Sequence, residues 1–508
     1  MIYSVFNEKK AAAALCAALL ILLPGCGTKE AAAPSGSSPA SVQSAASAEV
    51  TLSSGVWSCD TEDLTAVLTG EDVGKLYLFP NLKTVDAVGS SCTDDLVIWA
   101  MAHPDVSVRF TVETPSGSLA SDITALDLHD LTHEQTSAWA AVLPIFRSLQ
   151  SVDLGSEAEG RSLTFEDIRQ LEAAAPDAVF SYAFTAFDRQ LNTSDTELNL
   201  SHVTMDDNGA RVREILPIMN QLQTLDMDTC GVDDEHMAAI RDDYPNVEVI
   251  WRVWFGDDYS VRTNTEKILA SKPSAGGNLT VENSESLKYC TSVRYLDVGH
   301  NQILQDISFL RYMPDLEVCI IAMVYFDDLS PISGCTKLEY LETQSNGEGL
   351  TDLSPLSGLI NLEHLNIGNL PGVTDITPLY GLTNLKRLWI TASTPVPEEQ
   401  VSEMQSRVPD CEINTTSPDP TEEGWRFIGS YKDDDEVPHW VKCERYFELC
   451  EQFGYETLTG GYSLSRNDPY YDGTPSEEEL AAAAAQEEIY RQNRLELHNE
   501  GKAILGIP

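Results

Sequence analysis

The sequence predicts an α/β fold in which stacked repeats form a solenoid. A six-residue segment returns five times between Val293 and Ser393, as VRYLDV, LEVCII, LEYLET, LEHLNI and LKRLWI, with starts 23, 22, 24 and 23 residues apart. Its first, fourth and sixth places are mostly apolar while its third and fifth vary, which indicates a strand with one buried face. A constant period of this size is typical of repeats that pack side by side.

A second motif lies between these strands and predicts a capped turn. It reads Asp-Ile-Ser from Asp306, and Asp-Leu-Ser-Pro or Asp-Ile-Thr-Pro from Asp328, Asp352 and Asp375. Asp and Ser or Thr side chains can satisfy free backbone N–H groups, and proline fixes φ. A tight turn that carries two inward apolar side chains is therefore expected.

Together the strand and turn motifs resemble leucine-rich repeats of the bacterial internalin type, most fully in LEYLETQSNGEGLTDLSPLSGL from Leu338. This resemblance implies a parallel β-sheet on the concave face of the solenoid. The asparagine of that family is present at Asn301 and Asn346. It is replaced at Val324, Leu370 and Ser393, so the turns there must be stabilised in another way.

A longer repeat, aligned on prolines, precedes and follows the regular one. Each proline has an acid ten residues before it, apolar residues eight and five before it, and alternating hydrophobic residues after it; the four are Pro104, Pro176, Pro245 and Pro409. This pattern predicts a helix that runs into a strand, with the acid near the positive end of the helix dipole. Strands such as LQSVDL precede these helices, so the solenoid is expected from near Asp60 to Asn414.

Composition and pattern divide the chain into five parts. They are a signal peptide at residues 1–25, a flexible Ala/Ser/Pro tether at 26–55, irregular helix-containing repeats at 56–283, regular repeats with a terminal helix–strand unit at 284–414, and a small α-rich tail at 415–508. In the tail, a helix is expected near Trp440 to Phe453. Another is expected from Leu480 to His498, with a capping box at Ser476 and an end at Gly501. The tail is expected either to cap the open end of the solenoid or to form a separate module.

The amino terminus predicts export and a lipid anchor. Lys9 and Lys10 precede an apolar run from Ala11 to Leu23, which is shorter than the roughly 20 residues that a bilayer-spanning helix needs. The run ends in Leu-Pro-Gly-Cys, which resembles a bacterial lipoprotein cleavage site and implies diacylation of Cys26. The chain is then expected at the cell membrane or cell surface. An ordinary cleaved signal peptide is the alternative.

Charge and motifs exclude several classes of function. Asp and Glu number 80 against 32 Lys and Arg, so 80 − 32 = 48 net negative charges repel phosphate backbones and argue against a nucleic-acid partner. The sequence contains no CxxC pair, zinc-protease motif, GxSxG, P-loop or dinucleotide fingerprint. No catalytic residue, metal site or cofactor is therefore expected. The acidic run from Asp433 to Glu436 is interpreted as a solvated loop rather than a calcium site.

The resemblance also suggests where a partner binds. In leucine-rich repeats the third and fifth strand places point from the concave sheet into solvent, and here aromatic and aliphatic side chains alternate with charges, a composition typical of protein-binding patches. The predicted partner-binding residues are Tyr295, Asp297, Ile320, Tyr340, Glu342, His364, Arg387 and Trp389. The hypothesis is a non-catalytic protein that binds an extracellular or envelope protein through this face.

Three alternatives stay open at the level of sequence, and one of them is a purely structural envelope protein. Neighbouring segments could cover the concave face. Alternatively, the chain could be a surface hydrolase or carbohydrate-active protein whose site uses tail carboxylates, from Asp433 to Glu436 together with Glu444, while the repeats serve targeting.

Overall fold

The computed structural model describes residues 48–159, 163–256, 259–271, 279–391, 393–417, 424–453 and 477–507. The predicted signal peptide, the lipidation residue Cys26, the tether up to residue 47 and the capping residue Ser476 lie outside these ranges. The chain divides into two compact units, residues 1–109 and 110–508, and each is described by itself. Within the described ranges, no helix is both long enough and apolar enough to cross a bilayer.

The first unit begins with an antiparallel hairpin of β1 (Glu49–Leu52) and β2 (Gly55–Ser58). Val50 and Leu52 are buried on one face of this hairpin, so the prediction of a flexible tether is wrong for residues 49–55. Strands β3 (Asp63–Thr65) and β4 (Thr84–Ala87) follow as a parallel pair, with helices α1 (Gly70–Val73) and α2 (Thr93–Ala102).

The second unit opens with irregular repeats that combine parallel strands and helices. Its elements are β5 (Ser107–Thr114), which begins before the boundary, β6 (Gly117–Ala120), β7 (Ala125–Asp127), α3 (His133–Val142), β8 (Ser151–Ser156), α4 (Phe165–Ala174), β9 (Val179–Ala186), β10 (Arg189–Asn192), β11 (Glu197–Asn199), α5 (Ala210–Ile215), β12 (Thr224–Asp226), α6 (Asp234–Asp243), β13 (Glu248–Ile250), β14 (Arg252–Phe255) and β15 (Tyr259–Arg262). As the proline alignment predicts, α2, α4 and α6 each end shortly before the aligned proline and lead into a strand.

Three hairpins in this region were not predicted, and they interrupt the solenoid sheet. Pairs β5–β6, β9–β10 and β14–β15 are antiparallel. They leave β7 to β10 in one sheet and β11 to β13 in another. The parallel sheet is therefore not continuous from Asp60 to Asn414. Thr193 stabilises one return, because its hydroxyl donates to the Phe180 carbonyl at 2.7 Å and accepts from the Tyr182 N–H at 3.0 Å.

The regular repeats build one parallel sheet of seven strands. Its strands in order are β16 (Lys267–Leu269), β17 (Tyr295–Asp297), β18 (Val318–Ile320), β19 (Tyr340–Glu342), β20 (His364–Asn366), β21 (Arg387–Trp389) and β22 (Glu412–Asn414), with α7 (Glu398–Arg407) before the last. The middle side chains, such as Leu296, Leu341 and Leu365, are fully buried in the repeat core. The sheet starts at Lys267, before the expected start at residue 284, because Thr265 occupies the place where later repeats carry the first apolar residue of the motif.

The turn prediction is confirmed by the Asp side chains. The Asp352 carboxylate accepts from the Ser354 N–H at 2.8 Å, and Asp375 accepts from the Thr377 N–H at 2.9 Å. Asp328 makes the same 2.8 Å bond to Ser330, and a 3₁₀ turn follows each of the three. Each capped turn directs an apolar side chain such as Leu356 into the core.

The asparagine positions stabilise the turns on the other side of the strands. Asn346 accepts from the backbone N–H groups of Val324 and Tyr325 at 2.7 and 2.8 Å, and its amide donates to the Ile321 carbonyl at 2.9 Å. Asn346 thus stabilises the turn of the preceding repeat, and where Ser393 replaces the asparagine, the adjacent Thr394 makes the same two kinds of bond. Its hydroxyl accepts from the Leu370 N–H at 3.1 Å and donates to a neighbouring backbone carbonyl at 3.0 Å.

The chain ends in a small unit that we call the C-terminal module, residues 424–453 and 477–507. It contains the antiparallel pair β23 (Phe427–Lys432) and β24 (Pro438–Lys442), then α8 (Glu444–Phe453) and α9 (Glu477–Leu505). Trp440 therefore lies in a strand and not in a helix. Gly501 lies within α9 and does not end it, because the helix continues to Leu505. A Cβ at this position would meet Val441 Cγ2 at 2.6 Å. The glycine allows α9 to pack closely against the hairpin.

Candidate functional site

The predicted partner-binding residues form two neighbouring columns on the seven-stranded sheet. In one column, strand register places Tyr295, Val318, Tyr340, His364 and Arg387 side by side. In the other it places Asp297, Ile320, Glu342, Asn366 and Trp389 side by side. We call these side chains the sheet face. The arrangement of the candidate residues is therefore as predicted.

Their predicted exposure to solvent is wrong. Seven of the eight candidates, Tyr295, Asp297, Ile320, Tyr340, Glu342, His364 and Trp389, are at most 5% exposed. The remaining side chain, Arg387, is 13% exposed. The C-terminal module covers them, and its Trp425, Tyr446 and Phe453 belong to one buried cluster with Tyr295, Tyr340 and Trp389. The module thus packs on the sheet face itself, and not only at the end of the row of strands. An aromatic sheet face buries apolar area only when another segment packs on it.

Trp425 is the central aromatic contact of this interface. It is 1% exposed, and its ring centroid lies 5.5 Å from that of Tyr340, 5.9 Å from that of Trp389 and 6.3 Å from that of His364. The Arg387 guanidinium lies over the same indole, 5.1 Å from its centroid. Tilted aromatic pairs and a guanidinium over an indole stabilise a contact beyond the area that they bury.

Glu342 is the central polar group. Its carboxylate is fully buried and accepts a bidentate pair of bonds from Arg426, at 2.9 and 2.6 Å. It also accepts from Trp425 Nε1 at 2.9 Å, from the Tyr340 hydroxyl at 2.6 Å and from the Gln344 amide at 3.1 Å. Burial alone would raise the pKa of this carboxyl, but the Arg426 charge and the donated bonds outweigh burial and place the pKa below its usual value.

Backbone carbonyls of the module are held by cations of the sheet. Arg387 donates to the carbonyls of Gly424 and, at 2.7 Å, of Trp425, while Lys267 donates to the Phe453 carbonyl. Gly424 has φ of +96°, and a Cβ there would approach the Trp389 ring to 2.8 Å. Glycine is therefore required at the point where the module meets the sheet.

The fit between sheet and module leaves some polar atoms without bonds. Among the described residues, no hydrogen-bond partner lies within reach of His364 Nδ1, Gln344 Oε1 or Arg445 Nε, although all three atoms are buried. Burial and the neighbouring positive charge of Arg387 lower the pKa of His364 to about 3, so the imidazole is neutral. A buried polar atom without a bond costs stability.

The tail carboxylates considered for catalysis have other partners. Asp433 accepts from His439 at 2.9 Å, Glu436 pairs with Lys432 at 2.9 Å, and Glu444 pairs with Lys502 at 3.0 Å. Two cavities of about 290 and 280 Å³ lie elsewhere in the second unit, around Trp254 and around Val396. Neither is lined by these carboxylates.

The irregular repeats present a different face. Where the regular repeats carry aromatic residues, most of the corresponding strand places here carry small polar or acidic residues, with the buried Ile250 as an exception. Asp127, Asp153, Glu197, Asn199 and Glu248 are all exposed. Acidic and small polar groups are well solvated and need no cover.

Sequence reasoning missed the module residues that complete the site, Trp425 and Arg426 above all. The aromatic content of the tail was visible, but nothing local connects that content with strands more than eighty positions earlier. The bonds from Trp425 and Arg426 to Glu342 span 83 and 84 residues.

Comparisons with known proteins give no family assignment. No protein-family model and no curated protein matches the sequence. Similar solved structures are internalin C2 of Listeria monocytogenes (16% identity, 52% of this chain and 84% of that chain covered, TM-score 0.23), internalin F of the same species (16%, 69% and 84%, TM-score 0.25), and a leucine-rich-repeat protein of Leptospira interrogans (16%, 67% and 91%, TM-score 0.25). At these TM-scores the likeness supports no argument about this chain, whose repeat architecture rests on its own strand register and turn bonds.

Proposed function

We propose that this chain is an exported, lipid-anchored and non-catalytic protein that binds a polypeptide partner through the sheet face of its regular repeats. The observation that carries the proposal is the way this face already holds a polypeptide. It takes up one indole, one guanidinium and several backbone carbonyls of the module, which are the contacts that a protein ligand would make. Aromatic and arginine contacts of this kind dominate the energetics of protein interfaces.

The first experiment asks whether the sheet face binds polypeptide without a covalent link. A protease cleavage sequence is placed at residues 418–423 of the mature chain, and the folded protein is cleaved there. We expect the fragment that begins at Gly424 to co-elute with the repeats in gel filtration at about 1 μM, the weak end of affinities for specific interfaces. Separation of the two pieces at this concentration would contradict the proposal.

The second experiment addresses the anchor, which the proposal takes from the amino-terminal sequence. A Cys26→Ser variant is expressed in a bacterium that acylates lipoproteins, with labelled fatty acid in the medium. We expect the parent chain to carry the label and to sediment with membranes, and the variant to lose both properties. Equal labelling of the two chains would overturn the assignment of Cys26.

A further inference from the structure

We propose that the C-terminal module is a displaceable internal occupant of the sheet face, and that the partner is a polypeptide segment presenting an aromatic side chain followed by arginine. This inference rests on the proposed function, because it names the partner and the regulation of the same face. The occupied state of the structure is then the closed state of a binding protein.

The chemistry of the partner follows from what the sheet face contacts. The aromatic pocket of Tyr340, His364 and Trp389 holds a single side chain, Trp425. The buried Glu342 carboxylate selects a planar guanidinium at the next position, because Arg426 binds it through two parallel bonds. Lysine at that position could donate to Glu342 only as a point charge, so arginine is favoured over lysine.

The module is built to leave as a unit. Within it, Phe447 stacks on His498 at 4.0 Å, Arg494 pairs with Glu451 at 2.6 Å, and Lys502 pairs with Glu444 at 3.0 Å. These contacts join α9 to α8 and do not involve the sheet face. Detachment therefore breaks the contacts of Trp425 and Arg426 but keeps the internal contacts of the module.

In the closed state, two buried polar atoms of the regular repeats make no hydrogen bond to any residue that the structure describes, so a partner that bonds to them could bind more tightly than the module does. The His364 ring lies against Trp425, and the Gln344 amide donates to Glu342. His364 Nδ1 and Gln344 Oε1 are both buried, and the described part of the module offers neither of them a hydrogen bond. A partner segment that donates to Gln344 Oε1 and bonds to His364 Nδ1 would make contacts that the module does not make. Such a partner can replace the module even though the module is covalently attached.

Attachment makes the module a strong competitor. A covalently linked occupant acts at an effective concentration on the order of millimolar, which weakens binding of any outside segment by roughly 10²- to 10⁴-fold. The sheet face is therefore closed to weak or chance ligands. It opens only to a segment with the aromatic–arginine pair.

The test uses the mature chain and, as the probe peptide, a fluorescently labelled copy of residues 424–508, which contains both α8 and α9. Binding is measured by anisotropy to three proteins: the parent chain, a chain with Trp425→Ala and Arg426→Ala, and the matched control Trp440→Ala. Trp440 is 44% exposed and contacts Phe427 within the module. We expect the double variant to bind at least about 100-fold more tightly than the parent or the control.

A second peptide, with Trp425→Ala and Arg426→Ala, separates this inference from the proposed function. Weak binding of this peptide and tight binding of the parent peptide support both proposals. Equal, tight binding of the two peptides overturns the aromatic–arginine inference but keeps polypeptide binding. If neither peptide binds a double-variant chain that melts cooperatively, both proposals are overturned.

A closed chain supplies the remaining control. The Gln452 amide lies 3.4 Å from the Glu317 carboxylate across the interface, so cysteines at these two positions can be joined by a short thiol crosslinker. We expect the crosslinked chain to show no peptide binding and the same variant without crosslinker to bind as the parent does. Undiminished binding by the crosslinked chain would show that the module does not have to move.

Discussion

Removal of the Arg426 guanidinium tests how the module is held. In Arg426→Met the fully buried Glu342 carboxylate keeps three bonds, from Trp425, Tyr340 and Gln344, and loses the two that come from the only cation paired with it among the described residues. Breaking a buried ion pair by removing one partner costs about 3–5 kcal/mol. Detachment of the module returns Glu342 to water, so the cost cannot exceed the free energy of docking. The variant is therefore expected to undock rather than to unfold.

Native cysteines provide the assay. Cys450 lies in the buried cluster between the sheet face and the module, while Cys319 lies in the repeat core. Labelling of Cys450 by a thiol reagent therefore reports undocking, and labelling of Cys319 reports unfolding of the repeats. We expect Cys450 labelling to accelerate roughly a hundred- to several-thousand-fold in Arg426→Met, since each 1.4 kcal/mol changes an equilibrium tenfold. Cys319 labelling should stay unchanged.

A second substitution and a change of pH check the cause. With Glu342→Gln added, no charge stays buried, so Cys450 labelling should return toward the parent rate. In the parent the pKa of Glu342 is lowered, so its contribution to docking is present above the unfolded pKa and is lost as pH falls through the folded value. In Arg426→Met no cation offsets burial, so the pKa of Glu342 in the docked state should lie above its unfolded value. The docking free energy that the variant lacks relative to the parent should therefore become smaller as pH falls.

Arg491→Met is the matched control, because Arg491 pairs with Glu488 on the exposed surface of α9. It should change neither labelling rate. Equal acceleration at Cys319 and Cys450 in Arg426→Met would refute the reasoning, since the module would then not open separately from the repeats. So would an unchanged rate at Cys450.

Three further predictions concern the repeats themselves. Leu365→Ala removes a fully buried repeat side chain and should lower the free energy of unfolding by about 2–5 kcal/mol in urea titration, whereas Ile360→Ala, at 57% exposure, should cost far less. Asn346→Ala removes a side chain that bonds to four backbone groups and should cost at least about 2 kcal/mol by the same measurement, with Asn361→Ala as the exposed control. Burial raises the pKa of Glu172 to about 8, so in the folded state this carboxyl keeps a proton that it loses in the unfolded state above about pH 4.5. The free energy of unfolding should therefore fall as pH rises from about 4.5 to 8. Glu172→Gln should remove that part of the pH dependence. An unfolding midpoint whose pH dependence is identical in Glu172→Gln would contradict this assignment.

Much of the regular sheet could be predicted because its determinants are local. The apolar places of each strand, the Asp side chain that caps each turn and the 22- to 24-residue spacing all lie within one repeat. The period also fixes the strand register, so the sequence alone predicts the columns through Tyr340 and Glu342. The role of Thr394 in place of the asparagine missing at Ser393 could not be predicted, because no local pattern shows that its hydroxyl reaches the Leu370 N–H of the preceding repeat.

The irregular half was harder to predict because strand direction is not encoded in apolar spacing. The alternation in β9 and β10 fits a parallel or an antiparallel neighbour equally well. What determines the return is a short turn in which Phe187 and Asp188 both have positive φ. Asp is common at such positions, but Phe is not, so the pair does not predict the turn. The sequence patterns therefore located strands in this region but not the hairpins that divide them into separate sheets.

The error about exposure follows from a property of the sheet face that composition already contained. Tyr295, Tyr340 and Trp389 in neighbouring repeats would expose a large apolar strip, and soluble proteins rarely leave such a strip uncovered. Composition therefore required an occupant but did not identify it, because a binding groove and an intramolecular interface use the same residue types. The irregular repeats show the contrasting case. Their acidic strand places, such as Asp127 and Glu197, are exposed and readily solvated, so no segment has to cover them. Whether the aromatic strip serves a partner or only its own module is then decided by the free energy of undocking, which is the quantity that Cys450 labelling measures.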